Sequence, residues 1–274
     1  MQAAVIDRRA SARPRAWRRL VWPASVGTLA GVALLLVLLP VAGLLFTSSP
    51  RRLAEGFANP LVGPAIRLSL GTTLTSLVLV IVCGTPLAWL LAQRRTRGAR
   101  LVETIMQLPV VLPPAVAGVA LLLAFGRQGL LGSTLSALGI GLPFTRTAVI
   151  LAQFFVATPF YLQAAIAAFR HLDPDHVLVA RTLGASPARV FFTIAVPIAW
   201  PGLAGGAALS WARALGEFGA TLMFAGNLSG RTQTLPLAIY TALEVDLATA
   251  QSLSIVMLAV AFGLLVAIRA GSRS

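Results

Sequence analysis

The chain alternates between long apolar runs and short polar segments. Six runs of 19 to 25 residues carry almost no charge, and they occupy 22–46, 68–92, 105–125, 147–168, 201–225 and 250–268. At ~1.5 Å rise per residue, a helix of ~20 residues crosses the ~30 Å hydrocarbon layer of a bilayer. Barrel strands need only ~9–11 residues and alternate in polarity, which these runs do not. The pattern therefore predicts an all-α integral membrane protein with six transmembrane helices.

The arginines divide unevenly between the two sides of such a bundle. With the N-terminus in the cytoplasm, 15 arginines lie on the cytoplasmic side and 6 on the outer side, and Arg213 lies inside a span. An excess of positive charge in cytoplasmic loops sets membrane topology. The sequence thus predicts a multi-pass protein of the cell membrane with both termini in the cytoplasm. A basic tail at 1–21 precedes the transmembrane domain at 22–268, and a short cytoplasmic tail follows at 269–274.

Composition excludes several other classes of protein. Hydrophobic residues make up 57% of the 274 residues and charged residues only 11%, against about 25% in a typical soluble domain. The net charge of +14 comes from arginines that flank apolar runs, so we do not expect a nucleic-acid partner. Membrane lipid is the expected surrounding.

Residue types also limit the chemistry of this chain. A P-loop needs a lysine to reach the nucleotide phosphates, and the chain has no lysine. Its only histidines, His171 and His176, are five positions apart, which does not suit a metal site on a helix. The lone Cys83 lies in an apolar run and is expected to be structural. We expect no enzyme activity, metal or cofactor on this chain, and a membrane-embedded enzyme is disfavoured.

A polar segment at 169–200 separates the fourth and fifth predicted spans. Asp173-Pro174 is typical of a helix start, Gly184 of a helix stop, and Ser186-Pro187 of a second start. Apolar residues at Val177, Ala180 and Leu183, and also Leu178, have helical spacing. A short helix with a small apolar face is marginal alone but suits docking into a groove of another protein. A helix lying on the bilayer surface is the alternative.

The stretch VARTLGASPARVFFTIAVPIAWPGL resembles the Glu-Ala-Ala loop of ABC-importer permeases. Gly184 matches the glycine of that pattern, Ala180 its second alanine, and Pro197 its ending, whereas Leu178 and Val179 replace the usual Glu and Ala. The resemblance implies the type I ABC-importer permease fold, with a cytoplasmic coupling helix between the fourth and fifth spans. It also implies that the following residues face a separate ATPase subunit: Ala180, Arg181, Thr182, Leu183, Gly184 and Ala185.

Two further stretches, LPVVLPPAVAGVALLLAFGRQGLLG and RALGEFGATLMFAGNLSGRTQTLPLAIYTALE, are similar to molybdate-type permeases of that family. The resemblance implies import of molybdate or tungstate by a homodimer of this chain with two ATPase subunits, which hold ATP and Mg. A sulfate or thiosulfate permease of the same family is an alternative. An external oxyanion-binding protein is the remaining partner, and we place its contacts near Arg231, Glu244 and Asp246.

Charge and proline inside the predicted spans mark candidate pathway residues. Arg213 and Glu217 are four positions apart and share one helix face. If their helix begins at Pro201, Arg213 lies near the midplane; if it begins at Val190, both residues lie near the outer surface. The pair is either part of the anion pathway or its gate, or a structural contact between helices.

Pro109, Pro113 and Pro114 interrupt the third span, either as a tolerated kink or as pathway lining. An ATPase-independent secondary transporter is a further alternative for the whole chain. Such a transporter would more often carry several ionisable groups within its spans than the two found here.

Overall fold

The computed structural model describes residues 16–47, 49–93 and 96–271, and these ranges contain helices and turns but no strand. Helices begin and end where proline, glycine and capping residues are placed in the sequence. Fourteen α-helices follow one another along the described ranges: α1 (Ala16–Phe46), α2 (Pro50–Phe57), α3 (Val62–Gln93), α4 (Arg97–Ile105), α5 (Leu108–Val111), α6 (Pro114–Phe125), α7 (Gly132–Ala137), α8 (Arg146–Arg170), α9 (Pro174–Thr182), α10 (Pro187–Val190), α11 (Val196–Leu215), α12 (Gly219–Ala225), α13 (Leu235–Val245) and α14 (Leu247–Gly271).

The helix α1 belongs to a unit of its own, and the residues from Pro50 onward form a second unit. Within α1, the stretch Val26–Phe46 is long and apolar enough to cross a membrane, and none of it is buried. Such a surface is stable only in lipid or against another protein. Most of the predicted tail at 1–21 lies outside the described residues, and the part from Ala16 is helical and continuous with α1.

Three long helices, α3, α8 and α11, form the core of the second unit. Close approach is possible because small residues face each other: a Cβ placed on Gly202 would lie 2.6 Å from Cβ of Ala168, and one on Gly206 would lie 2.7 Å from Cβ of Ala164. Small residues at i and i+4 allow membrane helices to pack backbone to backbone. This packing fixes the position of α11, whose last turn contains Arg213 and is followed by Glu217.

The third predicted span, 105–125, is broken at its prolines and is not one continuous helix. Helical residues run from Arg97 to Val111 and again from Pro114 to Phe125, and the two parts are bent by 117°. Pro113 has extended backbone angles and, lacking an N–H, cannot continue the helix that precedes it. The prolines therefore produce a sharp break here and not a tolerated kink.

The fifth predicted span, 201–225, was also misplaced. A helical stretch runs from Pro187 to Leu215, including a π-helical turn at Phe191–Ala195, and ends before Gly216. Pro201 lies inside it. The chain then turns, and the separate short helix α12 follows. The predicted span thus combined the end of one helix with the whole of another.

The six-span count is not fully confirmed by the residues that the structure describes. Among the described residues, four helices are long and apolar enough to cross a membrane, or five if the bent pair is one span. The sixth predicted span, 250–268, lies within α14, whose described apolar stretch Leu247–Gly263 is shorter. The final tail, predicted from residue 269, is helical to Gly271. The predicted all-helical membrane fold is confirmed.

Candidate functional site

The coupling segment at 169–200 has the helix–turn–helix form that its sequence predicts. The carboxylate of Asp173 accepts a hydrogen bond of 3.0 Å from the backbone N–H of Asp175 and so caps the start of α9. Gly184 has a φ of +85°, a left-handed conformation that glycine adopts without strain. The hydroxyl of Ser186 then accepts a hydrogen bond from the backbone N–H of Arg189, which starts α10. Local contacts alone thus define this segment.

The apolar surface of α9 differs from the stripe that the spacing predicts. Val177 and Ala180 are half-buried against the protein itself. Leu178 and Leu183 of the predicted stripe are exposed, together with Val179, and 82% of the surface of Leu183 is accessible. No residue of α9 is fully buried. The helix therefore presents an apolar face that the described part of the chain leaves uncovered.

The predicted ATPase-facing residues occupy the same exposed region. Arg181, Thr182 and Gly184 are exposed, and Ala185 is half-buried beyond the turn. The backbone N–H of Ala185 donates a hydrogen bond of 3.0 Å to the carbonyl of Ala180, which closes the turn at the end of α9. The predicted set therefore forms one continuous surface.

Aromatic rings and an ion pair hold the base of the coupling segment. The rings of Trp89 and Phe169 lie 5.3 Å apart edge to face, and Phe191 packs beside both. The guanidinium of Arg170 donates two hydrogen bonds, of 3.2 and 2.8 Å, to the carboxylate of Glu103 on α4. Aromatic packing and bidentate pairing both restrict orientation. These contacts attach the two ends of the coupling segment, before and after α9, to α3 and α4.

Arg213 and Glu217 lie at the end of α11, because the helix begins at Pro187 and ends at Leu215. The helix thus begins before Val190 and not at Pro201, so the pair is at a helix end and not at its middle. Glu217 is 1% exposed, and Oε2 lies 2.8 Å from Nη2 of Arg213, whose side chain is 28% exposed. Oε2 makes no hydrogen bond of good geometry within the described ranges, and the arginine compensates its charge there.

Glu217 also determines where α12 begins. Its Oε1 accepts a hydrogen bond of 2.8 Å from the buried backbone N–H of Ala220 in the first turn of that helix. A carboxylate near a helix N-terminus satisfies an otherwise unpaired donor and interacts favourably with the helix dipole. The charged pair therefore joins the end of α11 to the start of α12.

The helices α6 and α12 cross at two glycines. A Cβ on Gly118 would lie 2.6 Å from Cβ of Met223 and 2.8 Å from the carbonyl oxygen of Ala220. A Cβ on Gly219 would lie 2.7 Å from Cβ of Pro114. The short helices α6 and α12, which form the second parts of the broken third and fifth predicted spans, thus pack directly on each other. The Arg213–Glu217 pair positions one of them.

The three residues predicted to contact an external binding protein are not brought into one site. Arg231 lines a cavity of about 660 Å³ together with Arg127, and neither Glu244 nor Asp246 lines it. The carboxylate of Asp246 instead accepts hydrogen bonds from the hydroxyl and N–H of Thr249 and from a neighbouring N–H. These bonds cap α14 and lower the pKa of Asp246 below its usual range. Glu244 is exposed at the end of α13.

A row of buried hydroxyl groups on α3 was not singled out from the sequence. The N–H of Leu235 donates a hydrogen bond of 2.6 Å to Oγ of Ser69, and Nε1 of Trp211 donates one of 3.0 Å to Oγ1 of Thr73. These bonds attach α3 to α13 and α11. Polar residues at 69, 72, 73 and 76 fall on one helix face, which is the pattern that could have revealed them.

Comparison with known proteins places these features in a family. The family described as "binding-protein-dependent transport system inner membrane component" matches residues 84–271. That range contains the broken span, the coupling segment and the charged turn. This chain belongs to that family of membrane transport components.

Curated relatives of this membrane component are similar over most of their length. The chain is 41% identical over 244 residues to the molybdenum transport system permease protein ModB of Mycobacterium bovis, covering 85% of this chain and 92% of the relative. It is 40% identical over 209 residues to the probable transport system permease protein NifC of Clostridium pasteurianum, covering 76% and 73%. The predicted resemblance to molybdate-type ABC permeases is confirmed.

Solved structures show the same fold for this membrane component at low sequence identity. A chain of a bacterial alginate ABC transporter in complex with an alginate-bound periplasmic protein matches with a TM-score of 0.75 and 18% identity, covering 94% of this chain and 97% of that chain. An inward-facing MetNI methionine ABC transporter matches with a TM-score of 0.62 and 18% identity, covering 78% and 95%. The predicted ABC-importer permease fold is therefore confirmed.

Proposed function

We propose that this chain forms the membrane pathway of an ATP-driven oxyanion importer, with molybdate or tungstate as its cargo. The observation that carries the proposal is the similarity, at about 40% identity over most of the chain, to permeases named for molybdenum transport. In this proposal two copies of the chain form one pathway in the cell membrane, with both termini in the cytoplasm. Two ATPase subunits supply ATP and Mg, and an external binding protein delivers the oxyanion.

The exposed face of α9 supports the ATPase partner. Leu183 and its neighbours Leu178 and Val179 are apolar and accessible, and caps at both ends hold the short helix in place. An amphipathic helix of this kind gains stability by entering a groove of another protein. In the proposed assembly, closure of the ATPases moves α9 and with it the coupling segment, whose ends carry the aromatic cluster and the Arg170–Glu103 pair and so transmit the motion to α3 and α4.

The turn at 213–217 supports a gate in the same pathway. Movement of α11 would act on α12 through the carboxylate of Glu217, and α12 would act on α6 through the contacts of Gly118 and Gly219. A buried carboxylate repels an oxyanion, so Glu217 suits a gate better than a binding site. Arg213 would compensate its charge and hold the two helices at their junction.

The basic cavity on the proposed outer side supports the binding-protein partner. Arg127 and Arg231 line it, and none of the carboxylates in the described part of the chain does. Two guanidiniums attract acidic groups of a docked protein. Arg231 is therefore the strongest of the three contact residues, since Asp246 is engaged in capping α14. Glu244 remains exposed for a contact with that partner.

The experiment that tests the function uses the tagged full-length chain. The chain is purified with its ATPase, reconstituted in lipid and mixed with the binding protein loaded with molybdate, tungstate or sulfate. We expect molybdate and tungstate to stimulate ATP turnover and uptake. Stimulation by sulfate or thiosulfate alone would favour the related sulfate permease, and concentrative uptake without any ATPase would favour a secondary transporter and overturn the proposal.

A matched pair of leucine variants tests the ATPase contact. Leu183→Asp places a charge on the exposed face of α9, whereas Leu130→Asp places one at a residue of similar exposure, 89%, outside the coupling segment. We expect the first variant to lose the co-purified ATPase and the second to keep it, with equal thermal stability in detergent. Equal retention of the ATPase by both variants would contradict the role of α9.

A further inference from the structure

A second basic cavity lies between the starts of α3 and α8. Its volume is about 630 Å³, and Arg67, Arg146, Thr75 and the backbone of Gly230 help to line it. Among the described residues, no acidic side chain lines it. Both arginines are exposed, and their two positive charges at one cavity attract an anionic group. The cavity is therefore built for a negatively charged group.

Hydrogen bonds to carbonyl oxygens orient both guanidiniums. Nε of Arg67 donates to the carbonyl of Gly63 at 3.4 Å, and Nη2 of Arg146 donates to the carbonyl of Gly230 at 3.2 Å. The remaining N–H donors of each group make no hydrogen bond to the described residues. The hydroxyl of Thr75 donates its hydrogen to the carbonyl of Gly71 and cannot also donate it to a bound anion. The donors that remain at the cavity are those of the two arginines. Guanidinium donors match the oxygens of a phosphate in pairs.

An exposed apolar stripe continues from this cavity along α3. Leu74, Val78 and Val82 follow Arg67 and Gly71 at helical spacing, so all five residues lie on one face of the helix. The three apolar side chains are all exposed. From Gly71 to Val82 the helix rises by ~17 Å, close to the ~15 Å depth of one leaflet. A small inorganic anion would make no use of such a stripe, whereas an acyl chain would.

We propose that this cavity and stripe bind an anionic phospholipid, with its phosphate between Arg67 and Arg146 and an acyl chain along Leu74, Val78 and Val82. The phosphate of a lipid head group offers guanidinium donors the same paired oxygens as any other phosphate. The lipid would hold the starts of α3 and α8 together with the loop that carries Gly230. The proposal does not depend on the ion that the protein transports.

The test measures phosphatidylglycerol retained by the purified full-length protein, by native mass spectrometry from mild detergent. Arg67→Gln and Arg146→Gln are each expected to weaken retention about fivefold, which corresponds to about 1 kcal/mol per arginine. The double variant is expected to weaken it roughly 25-fold by the same rule. The control is the double variant Arg127→Gln and Arg231→Gln, which removes the same charge from the other basic cavity and is expected to keep the lipid.

Each other outcome overturns the proposal. Unchanged retention in the Arg67 and Arg146 double variant would exclude the site, and equal loss in the control variant would indicate general surface charge. Inorganic phosphate added as a competitor is expected to have little effect, since it lacks the acyl chain; full displacement by phosphate would assign the cavity to a free anion. A change of oligomeric state in light scattering, without lipid loss, would assign the surface to a second copy of the chain.

Discussion

Replacement of Arg213 by alanine is expected to destabilise the protein mainly by leaving Glu217 buried without its counter-charge. The carboxylate is 1% exposed, and its Oε2 has only the arginine to compensate its charge. The hydrogen bond from the N–H of Ala220 to Oε1 would remain. The loss is therefore that of one ion-pair partner and not of the whole cap at the start of α12.

The expected magnitude follows from the burial of each partner. Removal of one member of a buried ion pair costs about 3–5 kcal/mol, and the lower end applies because the side chain of Arg213 is 28% exposed. Glu217→Gln should cost only about 1 kcal/mol, since the amide oxygen keeps the Ala220 bond and Arg213 can reach water. If the double variant loses about 2 kcal/mol of stability, the single losses of about 3 and about 1 kcal/mol together exceed that loss by about 2 kcal/mol. This difference is the coupling energy between the two residues.

The assay is thermal unfolding of the four proteins of this cycle in one detergent, together with uptake by the reconstituted complex. A destabilisation of about 3 kcal/mol lowers the midpoint temperature by roughly 6–12 °C in a protein of this size. Arg213→Lys is the matched control, because it keeps the positive charge and replaces the forked guanidinium by a compact ammonium group. We expect Arg213→Lys to lose less stability than Arg213→Ala.

Two results would refute this reasoning. An Arg213→Ala protein within about 0.5 kcal/mol of the wild type would show that the buried carboxylate does not need its partner. Additive effects of the two substitutions would show that the residues do not interact. Normal assembly and normal ATP-driven uptake by Arg213→Ala would separately refute the proposed place of this residue in the gate.

Three further predictions concern packing and the coupling segment. Gly118→Ala should destabilise the protein by about 1–3 kcal/mol, since its Cβ would lie 2.6 Å from Met223, whereas Gly205→Ala, with nothing within 4 Å, should be neutral or stabilising in the same thermal assay. Gly184→Ala should cost about 1 kcal/mol through its φ of +85° alone and should lower ATP-coupled uptake; unchanged uptake would contradict a rigid turn. Glu103→Gln should cost no more than about 1 kcal/mol, because the pair with Arg170 is partly exposed, and a larger loss would indicate a buried network.

The sequence determined the features that depend on contacts between near neighbours in the chain. Asp173, Gly184 and Ser186 fix the coupling segment because each acts within two to four positions of itself, through a cap or a permitted backbone angle. The apolar runs likewise determined the membrane environment and the helical class, because a bilayer requires every backbone group to be paired within the segment. These features needed no knowledge of the packed structure.

The sequence marked the prolines of the third span, but only the tertiary structure decided which prolines end a helix and where the fifth span breaks. Pro113 interrupts its helix, whereas Pro86, Pro159 and Pro201 lie within theirs, although the same residue type occurs in similarly apolar surroundings. A helix can bend or end wherever neighbouring helices satisfy the freed backbone groups, and those neighbours are distant in sequence. The buried position of Glu217 has the same origin, because it depends on how α11 and α12 pack and not on the residues beside it.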